Sequence, residues 1–216
     1  MSSRPRLAGL LVPALLLAGC AGGNGETSLQ TGAAAPDGPE ATAAAAVLES
    51  TDACATVAGE LIPARPETGE PMLEVPLPDG WQRDRQLDSD LVRLALTNPA
   101  LTRDSFAPNL VVTAEPSPAD VEQAIDLQLT GIADLVGPAD LHPVRGEICG
   151  HPSATVEYTL PPMAAIPERP AVVQIIVVDH DPGTLTYTMT AQATAPADRA
   201  YERDVARMLE GVQISG

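Results

Sequence analysis

Few residues in this chain are of types that could do chemistry, and one short run of them stands out. Asp179, His180 and Asp181 are adjacent, and carboxylates and imidazoles are common metal ligands. Neighbouring residues of an extended chain point to opposite sides, so three consecutive side chains do not readily converge on one ion. The Pro182-Gly183 pair that follows is typical of a turn. We therefore expect a solvated turn here and no metal site.

The sequence motifs of common enzyme classes are missing. The chain contains no G-x-S-x-G, H-E-x-x-H, G-x-G-x-x-G or P-loop pattern. Carboxylate pairs such as Asp88 and Asp90 occur, but nothing in the sequence places them in a cleft with separated pKa values. We expect a protein that is not an enzyme and that uses no cofactor. A hydrolase with a buried Ser or Asp beside His142 or His151 is the alternative. Each of these histidines precedes a proline, so we expect both in turns.

The remaining reactive residues are three cysteines, and Cys20 ends a short apolar segment. Residues 7–19 form an apolar run of 13 residues after Arg4 and Arg6, whereas a membrane-spanning helix needs about 20. This arrangement is typical of a secretory signal. Leu17-Ala18-Gly19-Cys20 is similar to the lipobox of bacterial lipoproteins, which implies cleavage before Cys20 and acylation of its sulfur. A plain secreted protein with a chance cysteine is the alternative.

Cys54 and Cys149 remain once Cys20 carries lipid. An even number of cysteines in an exported chain is typical of a disulfide. A redox pair or a metal site would favour close spacing such as C-x-x-C, which this chain lacks. We expect one structural disulfide between Cys54 and Cys149.

Composition divides the chain into three parts. The signal occupies residues 1–19. Residues 20–53 are rich in Gly, Ala, Pro and Thr and contain almost no large apolar side chain, which predicts a flexible tether behind the lipidated cysteine. Residues 54–216 are enough for a single domain, whose core we expect from about residue 71.

The charge of the chain limits its partners. The net charge is −17, from 29 acidic and 12 basic residues. Nucleic-acid binding depends on neutralising phosphates, so this balance argues against a nucleic-acid partner. The same charge repels anionic lipid headgroups. We therefore expect contact with the membrane through the N-terminal acyl anchor.

The spacing of apolar residues predicts strands and helices in a simple order. Ser117 is the expected N-cap of the first helix, and Gly137-Pro138 is its expected end. In the second helix Tyr201, Val205, Met208 and Leu209 should face the core, and Gly211 should end the helix. The apolar run at 172–178 predicts a central strand covered on both faces. A turn at 180–183 should join two long strands as an antiparallel hairpin. Strands, helix, strands and helix in this order predict an α+β fold, an antiparallel sheet packed with helices. The expected strands are 72–77, 81–87, 91–96, 109–115, 154–160, 172–178 and 184–191, and the expected helices are 117–136 and 196–210.

A few apolar side chains are candidates for ligand or partner contact. Trp81 and Phe106 are the only Trp and Phe in the chain. Aromatic side chains often line ligand sites. Both residues could instead fill the core, and we favour a core position for Trp81. Residues 161–167 are apolar and rich in proline, and exposed apolar loops often mark interaction sites. Phe106, Met163 and Ile166 are therefore the candidate contacts. A loop folded back over the sheet is the alternative for 161–167.

Several segments, taken in order, resemble the LpqN/LpqT lipoprotein family of actinobacteria. The lipobox and tether are followed by Val75-Pro76-Leu77-Pro78-Asp79-Gly80-Trp81 and by Phe106-Ala107-Pro108-Asn109-Leu110-Val111-Val112-Thr113. The long 172–178 strand, its Thr-rich partner and a closing helix complete the order. The resemblance covers about residues 71–216 and implies a Mog1/PsbP-type α/β sandwich. It implies an envelope lipoprotein without catalytic residues, and some family members are linked to mycolate transport.

Together these observations predict a non-enzymatic lipoprotein on the extracytoplasmic face of the cell membrane. We expect it to bind an envelope lipid or glycolipid, or to assist an envelope lipid transport protein. The alternative is a protein–protein interaction module on the cell surface, which would engage envelope or host proteins through its acidic face.

Overall fold

The computed structural model of the chain describes residues 54–137, 141–162, 166–181 and 183–216. The predicted signal and tether, Cys20 and Met163 lie outside these residues. The described residues form ten strands and two α-helices. These elements are β1 (Leu61–Pro63), β2 (Met72–Pro76), β3 (Gln82–Arg83), β4 (Val92–Thr97), β5 (Asn109–Ser117), α1 (Val121–Val136), β6 (Val144–Ile148), β7 (His151–Leu160), β8 (Arg169–His180), β9 (Gly183–Gln192), α2 (Arg199–Glu210) and β10 (Gln213–Ser215).

The strands form two antiparallel sheets. The large sheet has seven strands in the order β3-β4-β5-β9-β8-β7-β6, and the small sheet has three in the order β1-β2-β10. β8 and β9 form a hairpin in which all of β9 is paired, from Ala171 opposite Gln192 to His180 opposite Gly183. The predicted α+β class, with an antiparallel sheet packed with helices, is confirmed.

The larger of two cores lies on one face of the seven-stranded sheet, where α2 and the small sheet cover it. Alternate residues of the long strands point to this face because the side-chain period of a strand is two. Tyr201, Val205, Met208 and Leu209 of α2 are all buried, as the sequence predicts. Trp81 is also buried and belongs to this core.

The smaller core lies on the opposite face, beneath α1. Ala124 and Ile125 pack there on strand residues that include Val156 and Ile175. The predicted central strand, β8, is therefore covered on both faces, which explains its nearly continuous run of apolar residues. Neither described helix is long and apolar enough to cross a bilayer.

The first helix starts later than the sequence predicts. β5 continues to Ser117, so Ser117 is not the N-cap. Asp120 caps the helix instead, and its carboxylate accepts a hydrogen bond from the Gln123 N–H at 2.8 Å. Both Ser and Asp are good N-caps, and the pairing of Ser117 with Thr184 of β9 decides between them.

The expected strand at 81–87 is also wrong over most of its length. Only Gln82 and Arg83 pair with β4. Asp84 then caps a single 3-10 turn at Arg85–Leu87 by accepting a hydrogen bond from the Gln86 N–H. Asp caps short helical turns readily, and here the cap ends the strand after two residues.

Short strands at 61–63, 144–148 and 213–215 are absent from the sequence-based prediction. His151, which we expected in a turn, begins β7. The core also begins before residue 71, since Ala64 is buried in it. Strands of three to five residues carry too little alternation to stand out, and their partners in the sheets define them.

Residues 54–60 lead into β1 along the C-terminal end of α2. Arg207 donates a hydrogen bond to the Ala58 carbonyl at 2.6 Å, and Gln213 donates one to the Ala55 carbonyl at 2.8 Å. Gly211 ends α2 where packing is tight, because an added Cβ would lie 2.7 Å from the Pro76 side chain. The predicted helix stop at Gly211 is confirmed.

Candidate functional site

A groove of about 660 Å³ lies between α2 and the strands β7 and β8. We call it the α2 groove. Its wall comes from α2 and its floor from the large sheet, on the face that α2 partly covers. Concave sites that combine apolar surface with a few polar groups are the usual form of small-molecule sites.

The wall of the α2 groove is apolar. Tyr201, Val205 and Leu209 lie four residues apart and so occupy one side of α2. Asp198 starts this helix by accepting a hydrogen bond from the Ala200 N–H at 2.9 Å. Burial raises the pKa of the Tyr201 hydroxyl above its ordinary value, which further disfavours the ionised form of this wall residue.

The floor of the α2 groove is polar and includes only one large aliphatic residue, Val172 of β8. Thr155 and Glu157 of β7 share the floor with Gln174, which lies opposite Thr155 in the sheet. The Gln174 side chain is 5% exposed, and its Oε1 has no hydrogen-bond donor among the described residues. A buried polar atom without a partner is costly, so a ligand donor that reached it would relieve that cost.

The charged groups around the α2 groove have one sign. Glu157, Glu202 and Glu210 line it, and no Arg or His does so among the described residues. Carboxylates accept hydrogen bonds and repel anions. The arrangement suits a ligand with an apolar part and neutral hydrogen-bond donors, such as hydroxyl groups.

The opposite side of α2 is held to the core by one buried hydrogen bond. Trp81 Nε1 donates to Asp204 Oδ2 at 3.0 Å, and the other carboxylate oxygen of Asp204 lies 3.1 Å from Arg203. Trp81 is 5% exposed and so does not line a ligand site, in agreement with the core position that we favour from sequence. Through this contact the core fixes the position of the groove wall.

A second cavity, of about 900 Å³, lies between the edges of the two sheets and beside the cysteines. It is larger than the α2 groove, and both His151 and His180 line it. In the described ranges no three His, Cys, Asp or Glu side chains are placed to hold a metal ion. Asp179 accepts a hydrogen bond from Thr184 at 3.2 Å across the β8–β9 hairpin. We take the α2 groove as the candidate site, because it combines an apolar wall with the buried, unpartnered Gln174 Oε1.

Cys54 and Cys149 come together beside the second cavity. Their sulfur atoms are 2.01 Å apart, which is disulfide distance. Cys149 lies in the turn between β6 and β7, while Cys54 lies beside Ile214 of β10. The pair therefore links the small sheet to the edge of the large one.

Of the three sequence-predicted contact residues, the structure describes Phe106 and Ile166, and neither of them lines the α2 groove. Phe106 is half-buried, and the guanidinium of Arg169 lies over its ring, with the guanidinium carbon 5.0 Å from the ring centroid. Arg169 also donates to Gln192 at 2.8 Å, and burial lowers the pKa of its guanidinium. Ile166 is half-buried and lines neither cavity. Met163 lies outside the described residues.

Sequence reasoning missed the residues that do line the groove. Val172 and Gln174 read as parts of a buried strand, and Tyr201 and Leu209 as core positions of a helix. One signal was present, because Gln174 interrupts an otherwise apolar run. A polar residue inside a buried strand needs a partner, and here the described residues supply none to Oε1.

Comparison with known proteins identifies the fold. No family model matches this chain, and no curated protein matches it in sequence. Among solved structures it is similar to LpqN of Mycobacterium tuberculosis, a protein involved in cell envelope biogenesis, with a TM-score of 0.57 and 11% identity. That match covers 73% of this chain and 91% of LpqN. The Ran-binding protein Mog1p of Saccharomyces cerevisiae also matches, with a TM-score of 0.41, 12% identity and coverage of 65% and 89%. At such identities the likeness to LpqN concerns the fold.

Proposed function

We propose that this chain is a lipid-anchored protein of the cell envelope that binds an envelope lipid or glycolipid in the α2 groove. The groove carries this proposal because it combines an apolar wall with a floor and rim that accept hydrogen bonds. The protein would act by binding and presenting its ligand, or by passing it to a transport protein, rather than by catalysis. Its LpqN-like fold supports an envelope role, since LpqN takes part in envelope biogenesis.

The proposed location is the extracytoplasmic face of the cell membrane. The support for it is the Leu17-Ala18-Gly19-Cys20 sequence and the disulfide-distance pair of Cys54 and Cys149, which suits an oxidising compartment. Replacing Cys20 by Ala should abolish acyl labelling of the protein. Unchanged labelling of Cys20→Ala in cells would refute anchoring at this residue.

The groove chemistry predicts which lipids bind. Because Glu157, Glu202 and Glu210 line the groove and no basic side chain of the described ranges does, a neutral hydroxyl-bearing headgroup should be preferred to an anionic phosphate. The apolar wall would hold acyl chain, where each buried methylene contributes about 0.8 kcal/mol. Native mass spectrometry of the mature protein, exposed to neutral glycolipid or to anionic phospholipid, measures this preference directly.

A groove-filling variant tests the site. Thr155→Trp would place an indole on the groove floor and should reduce the glycolipid-bound fraction at least about tenfold, a loss of roughly 1.4 kcal/mol in binding. Thr113→Trp is the matched control, because Thr113 is also a half-buried strand threonine but lies on the opposite face of the sheet. Equal glycolipid retention by the two variants would place the ligand elsewhere. Retention of no lipid by the unmodified protein would favour the protein–protein interaction alternative.

A further inference from the structure

The free edge of strand β6 is exposed and regular. β6 pairs with β7 over five consecutive residues without a register shift, and no described residue pairs with its other edge. The first four residues of β6 are exposed, and Val144 is 71% exposed. Its backbone N–H and C=O groups on that side are available to another strand.

Natural proteins usually protect such edges, and the two edges of the large sheet differ in this respect. Proline, a bulge or very short length are common protective devices. At the opposite edge β3 is only two residues long, and Arg83 there is paired with Asp88 at 3.2 Å. β6 has no proline and no bulge. Its only device is a pair of charges of opposite sign, Arg145 and Glu147.

Those charges make β6 complementary to itself. The strand reads Val144-Arg145-Gly146-Glu147-Ile148. When two copies pair antiparallel about a two-fold axis at Gly146, Arg145 lies opposite the partner's Glu147, and Glu147 lies opposite the partner's Arg145. On the other face Val144 meets the partner's Ile148. Cross-strand pairs of opposite charge and of apolar side chains stabilise an antiparallel sheet, so every position of the strand finds a compatible partner.

We propose that two copies of this protein associate through β6, in antiparallel register about Gly146, and so join their large sheets into one. The inference depends on the sheet edge alone and does not require a ligand in the α2 groove. It does bear on that groove, because Val144 lies beside Thr155 on the groove side of the sheet. The floors of two α2 grooves would then become continuous. Five strand spacings of about 4.8 Å separate β8 from the β8 of the partner copy, so the two strands would lie about 24 Å apart.

Electrostatics set the conditions for this contact. Arg145 already lies 2.6 Å from Asp126 and 3.4 Å from Glu122 of α1, and all three side chains are exposed. The net charge of −17 opposes association at long range, but salt screens exposed charges beyond about 8 Å at physiological ionic strength. Direct contact of Arg145 with the partner's Glu147 is within that distance. Association should therefore weaken at low salt.

Cysteine cross-linking of the full chain in membranes of expressing cells tests the two-fold position. Residues facing each other across an antiparallel pair have Cα atoms about 4.5 to 5.5 Å apart, which a disulfide can span. Gly146→Cys is tolerable, because an added Cβ would meet only the Ser153 hydroxyl at 3.7 Å. Leu87→Cys is the control, since Leu87 is 50% exposed and lies near the opposite edge. We expect at least tenfold more disulfide-linked dimer from Gly146→Cys than from Leu87→Cys.

Charge exchange tests the register. In the Gly146→Cys background, Glu147→Arg should lower the cross-linked fraction at least fivefold, because it places Arg145 opposite another arginine, and Arg145→Glu should do the same with two glutamates. Co-expression of the two variants, carrying different tags, should restore a mixed dimer, because each then faces the opposite charge. Any of three results would overturn the proposal. Gly146→Cys could give no more dimer than Leu87→Cys, it could cross-link to some other protein, or co-expression could fail to restore the mixed dimer. The cross-linked fraction of Gly146→Cys should also fall when the same membranes are assayed at low salt.

Discussion

The helices on the two faces of the large sheet differ greatly in how many of their side chains are buried. α1 has 16 residues and buries only Ala124 and Ile125. α2 has 12 residues and buries five, including the carboxylate-bearing Asp204. α2 is enclosed because the small sheet lies on the same face, whereas α1 packs on β7 and β8 with its outer side exposed. The length and regularity of an apolar stripe therefore do not measure what a helix contributes to the fold.

The same comparison explains where the candidate site lies. The α1 face of β7 and β8 is covered by the helix that crosses it. On the other face α2 and the small sheet leave part of β7 and β8 open, and the α2 groove forms there. The more deeply buried helix thus supplies the wall of the groove, so its stability and the shape of the site are linked.

The largest effect on stability should come from the link between the two sheets. Replacing both Cys54 and Cys149 by Ser should lower the free energy of unfolding by about 4.7 kcal/mol in the chain-entropy model, because the pair closes a loop with a sequence separation of 95. Urea denaturation of the variant and of the oxidised protein measures the difference. A loss below about 1 kcal/mol would mean that the pair adds little to a fold that other contacts already hold.

Matched truncations compare the two faces directly. Met208 of α2 is fully buried in the larger core, and Ile125 of α1 is 1% exposed in the smaller one. Truncation to Ala costs roughly 2 to 5 kcal/mol at such sites. We expect the loss of unfolding free energy to fall in the upper half of this range for Met208→Ala and in the lower half for Ile125→Ala. Thermal or urea denaturation of the two variants measures both losses. Leu127→Ala is the control, because Leu127 is 58% exposed and should change stability by under about 0.5 kcal/mol.

A smaller effect should follow from removing the hydrogen bond that holds α2. Trp81→Phe keeps most of the apolar volume but leaves Asp204 Oδ2 without its donor at 3.0 Å. A buried acceptor without a partner costs about 1 to 3 kcal/mol. Asp204→Asn retains an acceptor for Trp81, so it should lower the free energy of unfolding by less than Trp81→Phe does. Urea denaturation of the two variants measures this difference. If Trp81→Phe leaves stability unchanged, packing alone positions α2.

The smallest effect concerns alkaline pH. Burial raises the pKa of Tyr187 and Tyr201 above the ordinary value of 10.0, so the unfolded chain loses these protons first. Their contribution is complete below pH 10 and is lost as pH rises further, by up to about 1.4 kcal/mol per tyrosine and pH unit. Urea denaturation between pH 9 and 11 should therefore show falling stability, with a shallower decline for Tyr201→Phe. An equal decline in that variant would mean that Tyr201 ionises freely in the folded state.

Local sequence determined the elements that depend on side-chain period and turn chemistry. The alternation of Thr with apolar residues predicts β9, and a Pro-Gly turn predicts its hairpin with β8. The stripe in α2 predicts which of its side chains are buried, and Gly211 predicts where it ends. Each of these features is confirmed, because strand period, helix period and backbone freedom act within a few residues.

Tertiary structure alone decided the rest. β1, β6 and β10 exist because longer strands offer them partners, and β5 extends through Ser117 because β9 pairs with it there. Phe106 stacks on Arg169, a contact between residues 63 positions apart. The α2 groove joins residues of β7, β8 and α2 that are core-like in their own segments, and only the incomplete cover of the sheet exposes them. Such sites depend on which surfaces remain uncovered after packing, and no local period of the sequence encodes that.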